Sequence, residues 1–449
     1  MGLNSAQLRQ AIRRAPSYKF LGRVHKVTGM VIESLGPETR IGELCKVTAP
    51  GDEQAHLAEV VGFNENRVLL MPLTTTTGIK LGHLVESCGE LPSVEVSDAV
   101  LGRILNGLGQ SIDGVGDLPK GEVYPLNAQP INPMDRRSIA TPFSTGIRAI
   151  DGLITCGIGQ RIGIFAGSGV GKSTLIGNIA RNSSADINVI SLVGERGREV
   201  SGFIERDLGP EGMKKSVVVV STSDNPPLIR MRAALTATAV AEYFRDQGKN
   251  VLLMMDSVTR FAMAQREVGL AAGEPPSTKG YTPSVFALLP QLMERAGQFR
   301  KGSITAIYTV LVEGDDMNEP IADAVRSILD GHIVLSRRLA AKNQYPAIDV
   351  LSSISRLMPE LASLEHQQLA SKVRDLMAVY SEAEDLINIG AYVKGSNPNI
   401  DQSIAFHEAI TTYLRQSTAE TGDVDEAVHG LAQIFGLDLQ QFLAERGGD

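Results

Sequence analysis

The 449-residue chain has room for about three domains, each with its own core. Hydrophobic content of 43% and charged content of 21% describe a soluble globular protein, and a net charge of −8 argues against a surface built for nucleic-acid backbones. Cys45, Cys88 and Cys156 form neither a disulfide framework nor a metal-type spacing, the seven histidines show no ligand pairing, and no apolar run suits a membrane span or signal peptide, so a reducing cytoplasm is the expected setting.

Residues 1–19 are basic (Arg9, Arg13, Arg14, Lys19) and contain no acid. Leu8, Ala11 and Ile12 fall at helical spacing, which leaves two readings open: a solvated terminus, or a docking helix for a partner or an anionic membrane surface. From Phe20 to Val96 the texture changes to short β-like runs broken by Gly, Pro and Asn: Gly29–Leu35, Leu57–Phe63, Arg67–Pro72 and Gly82–Ser87. That spacing predicts a small barrel or sandwich over residues 20–96. The connector Leu118–Pro142 carries five prolines and reads as a linker that wraps rather than folds.

Between Arg161 and Ser336 strand and helix patterns alternate. The strands expected are Arg161–Phe165, Ile187–Val193, Ser216–Ser221, Asn250–Met255, Ser303–Leu311 and His332–Ser336, with helical stretches such as Ile229–Gln247 between them. Nearly continuous apolar strands of this kind predict a parallel sheet covered on both faces, an α/β core spanning residues 97–357. Beyond it, Leu361–Ile389, Ile400–Gln416 and Val424–Leu443 predict a helical domain over residues 358–449.

The chemistry starts at Arg161–Thr174. An apolar strand runs into Gly167, Ser168, Gly169, Val170 and Gly171, and then into Lys172, Ser173 and Thr174 at a helix start. This is the layout of a P-loop: backbone N–H groups and the helix N-terminus cradle phosphates, Lys172 supplies a point charge, and the Ser173 hydroxyl suits Mg²⁺. The strict pattern has Gly where Ala166 stands, a change the cradle tolerates if that position needs no positive φ. The apolar run Val251–Asp256 delivers a carboxylate to the C-terminal edge of the sheet, where ligands bind, and Asp256 there would hold Mg²⁺. Ser191–Glu199 ends another strand in mixed charges. Glu195 reads either as the group that orients the attacking water or as part of a surface charge cluster running to Glu199. Arg337, Arg338 and Arg356 are each candidates to meet transition-state charge, and spacing does not choose among them.

Several blocks in concert resemble the rotary-ATPase catalytic family and, within it, the type III protein-export ATPases. They are Phe165–Thr174, Val193–Val200, Leu253–Arg260, Gly273–Pro276, Gly280–Phe286, Ile328–Ser336 and Tyr345–Arg356, and the likeness runs from about Phe20 to about Gln416. The resemblance implies a RecA-like P-loop core with an N-terminal small β-barrel and a C-terminal helical domain. It implies Lys172 on the β- and γ-phosphates, Ser173 and Asp256 at Mg²⁺, and Glu195 positioning water with Arg196 beside the phosphates. Tyr345 would stack on adenine, and Arg356 would be an arginine finger.

Catalytic glutamate and finger occur in one chain, so the resemblance implies a self-sufficient homohexameric ring that hydrolyses ATP with Mg²⁺. Implied partners are a stator-like regulator at the basic N-terminus, a central stalk protein, a membrane export gate, and export substrates with their chaperones. The implied location is cytoplasmic, peripheral at the inner membrane. The wording of Gly390–Ser396 and Leu351–Arg356 favours the flagellar branch over virulence injectisomes. Rival readings are an ATP-synthase catalytic subunit, a non-catalytic ring subunit, and an RNA-translocating hexamer. The last would need a basic, aromatic-bearing barrel, and residues 20–96 have few aromatics and mixed charge; no nucleic-acid partner is expected.

Overall fold

A computed structural model describes residues 20–437, apart from 50, 52–54, 129, 130, 313 and 315. The basic segment 1–19, and the end of the last expected helix beyond residue 437, lie outside the described residues.

Six antiparallel strands, β1 (Leu21–Thr28), β2 (Val31–Leu35), β3 (Leu44–Thr48), β4 (Ala55–Asn64), β5 (Arg67–Pro72) and β6 (Leu84–Ser87), close into a barrel in the order β1-β2-β5-β4-β3-β6. Every second residue turns inward, so Val24, Ile32, Val47, Val60, Leu70 and Val85 fill the lumen. Strands β1 and β3 escaped the pattern reading because Arg23, His25 and Lys26, and then Lys46, occupy their outward positions. The segment expected to be barrel as far as residue 96 leaves it earlier. Strand β7 (Ser93–Val96) pairs with β9 (Glu122–Pro125), and Val94 and Val96 are buried in the central core instead. Part of the proline-rich connector is therefore a strand. Tyr124 on β9 meets Tyr243 edge-on at 5.7 Å, which anchors it.

After the edge strand β8 (Ile104–Asn106) and a two-residue pairing of β10 (Pro142–Phe143) with β11 (Cys156–Gly157), the central sheet is built from seven strands. They are β12 (Arg161–Ala166), β13 (Ile187–Glu195), β14 (Ser216–Thr222), β15 (Asn250–Asp256), β17 (Ser303–Leu311), β18 (Gly331–Leu335) and β19 (Ile348–Ser355). With β8 they run in the order β19-β18-β12-β17-β15-β13-β14-β8, and the two-residue β16 (Gly297–Gln298) lies against β17. All the pairings along that order are parallel except β18 with β19. Along β14, Val217 and Val219 face one core while Val218 and Val220 face the other; Val251, Leu253 and Leu252, Met254 on β15 divide the same way. Burial on both faces is why these runs are apolar without alternation.

Three C-terminal helices, Leu364–Asn388, Pro398–Leu414 and Val424–Ile434, pack on the β18–β19 end of the sheet. Leu369, Val373, Ile410 and Leu431 share one core with Ile333, Ile348 and Val350. Buried His366 ties the first helix to the Gly152 carbonyl at 2.7 Å. No helix among the described residues is long and apolar enough to cross a membrane.

Candidate active site

Parallel register brings the functional candidates to one edge. Strand β12 ends at Ala166, which sits in ordinary strand geometry and is buried, so the missing glycine is harmless. Left-handed backbone is needed three and five residues later, at Gly169 (φ 79°) and Gly171 (φ 89°), where glycine stands. Val170 is buried and pins the loop to the core, while Ser168, Gly169, Ser173 and Thr174 are exposed at its mouth. The helix Lys172–Asn182 starts there and turns its free N–H groups outward.

Lys172 reaches across the edge. Its ammonium is hydrogen-bonded to Asp256 at the end of β15 and lies 3.9 Å from a Glu195 carboxylate oxygen. Strand β17 runs between the loop strand and β15, and from it Thr309 donates its hydroxyl to Asp256 at 2.7 Å. Glu195 owes its aim to a break in register: a shift separates Val193 from Glu195 on β13, and Gly194 takes φ 69°. This bulge rotates the carboxylate into the cluster, whereas Arg196–Glu199 continue into solvent. The structure divides this stretch at residue 195: the Glu195 carboxylate lies in the cluster, and Arg196–Glu199 form the surface charges. Burial, and next the negative charge of Asp256, push the Glu195 carboxyl up to about 7, against the pull of Lys172. A carboxylate held near neutrality beside a phosphate cradle is fit to take a proton from water.

The other candidates separate by position. Arg196 does not join the cluster: its side chain is 80% exposed and pairs with Glu199 at 3.4 Å. Arg338 turns to the C-terminal helices and meets Glu384 at 3.1 Å. Arg337 lies over the loop of its own chain, where a β-carbon added to Gly167 would come within 2.6 Å of its guanidinium. Arg356 is at the far side. Strand β19 runs antiparallel to β18, so Ile348 lies beside Leu335 near the loop, whereas Ser355 lies beside Gly331 at the opposite edge. Arg356 follows Ser355, roughly 13 Å or more of strand away from its own phosphate loop. Its side chain is exposed there, with one long 3.4 Å bond to the Arg326 carbonyl. Tyr345 is 44% exposed, and its ring lies 3.4 Å from where a β-carbon on Gly171 would stand, so it forms a free aromatic wall beside the loop.

Sequence reasoning missed Thr309 and Arg260. Arg260 packs its stem on Gly194 and helps to stabilise the Glu195 charge, and its buried Nε has no partner among the described residues. The first-turn position of Arg260 in the helix Val258–Ala271, directly after Asp256, was the available signal. Nothing local marks Thr309, whose role depends on which strand lies next to β15.

The donor set fits a hard divalent cation. Ser173 offers an exposed hydroxyl and Asp256 a carboxylate, and two protein oxygens leave the remaining positions to water and phosphate, the habit of Mg²⁺.

Comparison with known proteins places this geometry. Residues 146–355 match the nucleotide-binding domain of the ATP synthase alpha/beta family, residues 24–89 its beta-barrel domain, and residues 362–433 the T3SS EscN ATPase C-terminal domain. The chain is 54% identical over 437 residues to the flagellum-specific ATP synthase of Bacillus subtilis, covering 97% of this chain and 99% of that one. The assembled ATPase EscN of the enteropathogenic E. coli type III secretion system superposes with a TM-score of 0.88 at 48% identity, covering 92% of this chain and 99% of EscN. EscN in complex with its central stalk EscO superposes at 0.85, with the same identity and coverage. The chain therefore belongs to the ATP synthase alpha/beta family, in its branch of flagellum-specific and type III secretion ATPases.

Proposed function

We propose that this chain is the ATPase of a flagellar protein-export apparatus, hydrolysing ATP at sites shared between neighbouring copies in a homohexameric ring. One observation carries the reading: Glu195 and Arg356 belong to one chain but stand at opposite edges of its sheet. A copy cannot serve its own site with Arg356, while a neighbour turned about a ring axis can. The similar proteins include flagellum-specific ATP synthases at 47–54% identity and type 3 secretion ATPases at 48–49%, and the choice of the flagellar branch rests on the wording of Gly390–Ser396 and Leu351–Arg356. Deleting the gene should then abolish flagellar assembly; intact flagella with lost effector secretion would move the assignment to an injectisome.

In the mechanism, the loop N–H groups from Gly167 to Thr174 and the Lys172 ammonium hold the phosphates, and Tyr345 receives adenine on its exposed ring. Ser173 and Asp256 would hold Mg²⁺, which when bound neutralises phosphate charge. Glu195 accepts a proton from water as its oxygen attacks the γ-phosphorus and the bond to the ADP oxygen breaks. Arg356 from the neighbouring copy meets the charge that develops. Arg337 steadies the loop from within. Arg196, at the start of the exposed helix Gly197–Gly202, would have to fold inward to reach the phosphates.

Residues 20–87 would then work as ring-packing barrel, the core from Ser93 to residue 357 as motor, and residues 358–449 as transmission. Exposed Leu386, Ile389 and Val393, at the tip between two C-terminal helices, suit a central stalk, in keeping with the EscN–EscO complex. The basic segment 1–19 would dock a stator-like regulator. The ring would sit at the cytoplasmic face of the inner membrane, passing substrates from their chaperones to the export gate.

Specific activity should rise steeply with protein concentration, because a lone copy lacks the finger. Flat activity across the assembly range, followed by light scattering, would remove the shared site. Thr309→Val keeps volume in a buried position but strips Asp256 of a charge-assisted hydrogen bond; kcat/KM for ATP is expected to fall about tenfold with the melting curve little changed. Unchanged kcat/KM would show that Thr309 does not hold Asp256 in its working position.

A further inference from the structure

The ring of Tyr345 stands free beside the phosphate loop, but its main chain is fastened. The Tyr345 carbonyl accepts the N–H of Gln416 at 3.0 Å. Gln416 stands two residues past the end of the helix Pro398–Leu414 and is 8% exposed. Both ends of its amide are used: Nε2 donates to the Gly146 carbonyl at 2.8 Å and to the Glu420 carbonyl at 3.2 Å, while Oε1 accepts the Arg148 N–H at 2.8 Å.

The segment it grips is itself locked. The buried Asp151 carboxylate accepts the Thr145 N–H at 2.8 Å, the Thr145 hydroxyl at 2.7 Å and the Gly146 N–H at 3.0 Å. Gly146 takes φ 79°, and a β-carbon on it would stand 2.5 Å from the Asn182 side chain. Asn182 is the last residue of the phosphate-loop helix. The chain of contacts thus runs from Tyr345 through Gln416 and Gly146 to the far end of the helix that carries Lys172.

We propose that Gln416 is a positioning residue of the nucleotide site. By fastening the Tyr345 main chain to the segment braced on the phosphate-loop helix, it sets the distance between the base-stacking face and the phosphate cradle. Because Gln416 lies two residues past the end of the helix Pro398–Leu414, a shift of that helix is passed through Arg415 to the Tyr345 carbonyl, so the base seat follows the helical domain. This inference rests on the reading that Tyr345 receives the base.

The test compares ATP with inorganic tripolyphosphate, which fills the cradle but carries no base, on the full-length chain. Gln416→Leu keeps the bulk and removes three polar contacts; the Kd for ATP is expected to rise about tenfold, with the Kd for tripolyphosphate within about twofold of wild type. Gln416→Asn keeps both amide functions one methylene shorter and should lose only about threefold for ATP. KM for ATP should follow Kd while kcat at saturation holds within about twofold. Equal losses for both ligands would mean general loosening, and unchanged ATP affinity would mean no positioning; either overturns the inference. Should the Leu variant fail to fold, the Asn variant decides by the same comparison. Tyr345→Ala separates the premises. If it leaves ATP affinity unchanged, the base reading fails; if it weakens ATP binding while the Gln416 variants do not, the inference alone fails.

Discussion

Arg356→Ala is expected to lower turnover by roughly 10³-fold or more while nucleotide affinity and ring assembly persist. The size follows from what an arginine finger does: it meets charge that exists only in the transition state, so its loss appears in kcat and not in ground-state binding. The geometry adds a sharper outcome. Each Arg356→Ala subunit retains a complete Glu195 side of the site, and each Glu195→Gln subunit retains a complete Arg356 side, at opposite sheet edges. Mixing the two inactive proteins should therefore restore activity, approaching roughly a quarter of the wild-type rate if subunits exchange at random, since about one interface in four is then intact. Two inactive proteins that stay inactive after demonstrated exchange would show that the site is completed within a single chain.

Glu195→Gln is expected to cost roughly 10²–10⁴ in kcat with ATP binding intact, the range for a positioned general base. Retained turnover would remove Glu195 from its role. The pH profile gives the second check. Burial and the nearby Asp256 carboxylate raise Glu195 to about 7, so the working, ionised form is lost as pH falls through that value. In wild type, kcat/KM should rise with pH through about 7 and then level; in the Gln variant the residual rate should lack that limb. Linkage fixes the sign for stability. A carboxyl raised from 4.5 to about 7 in the folded chain contributes stability fully present below 4.5 and lost as pH rises through about 7. Glu195→Gln should accordingly melt at a higher temperature than wild type at pH 8, the reverse of its effect on rate. A lower melting temperature would mean that the ionised carboxylate is held by its partners rather than strained by burial.

The parallel strands from Arg161 to Leu311 were legible because both faces of each are buried, leaving long apolar runs that end near the observed boundaries. Barrel strands β1 and β3 were not, since one face is wet and charged residues interrupt the apolar signal. Strand β7 looked like barrel and is core, because alternation says that one face is buried and not against what. The P-loop was legible for the opposite reason: its function lies in backbone geometry, and glycine is the residue that backbone demands.

By itself, the sequence determined that a phosphate cradle opens a helix, that carboxylates end two nearby strands, and that acid and finger candidates share one chain. Those are local properties, set by residue type and spacing along a few turns of backbone. Only the tertiary structure, through the bulge at Gly194, placed the Glu195 carboxylate in the cluster and sent Arg196 to solvent. It also divided the arginines, with Arg337 on its own loop, Arg338 on Glu384 and Arg356 at the opposite edge. Strand order and strand direction settle those distances, and both arise from which apolar faces find each other across the whole chain, a relation that no stretch of neighbouring residues contains.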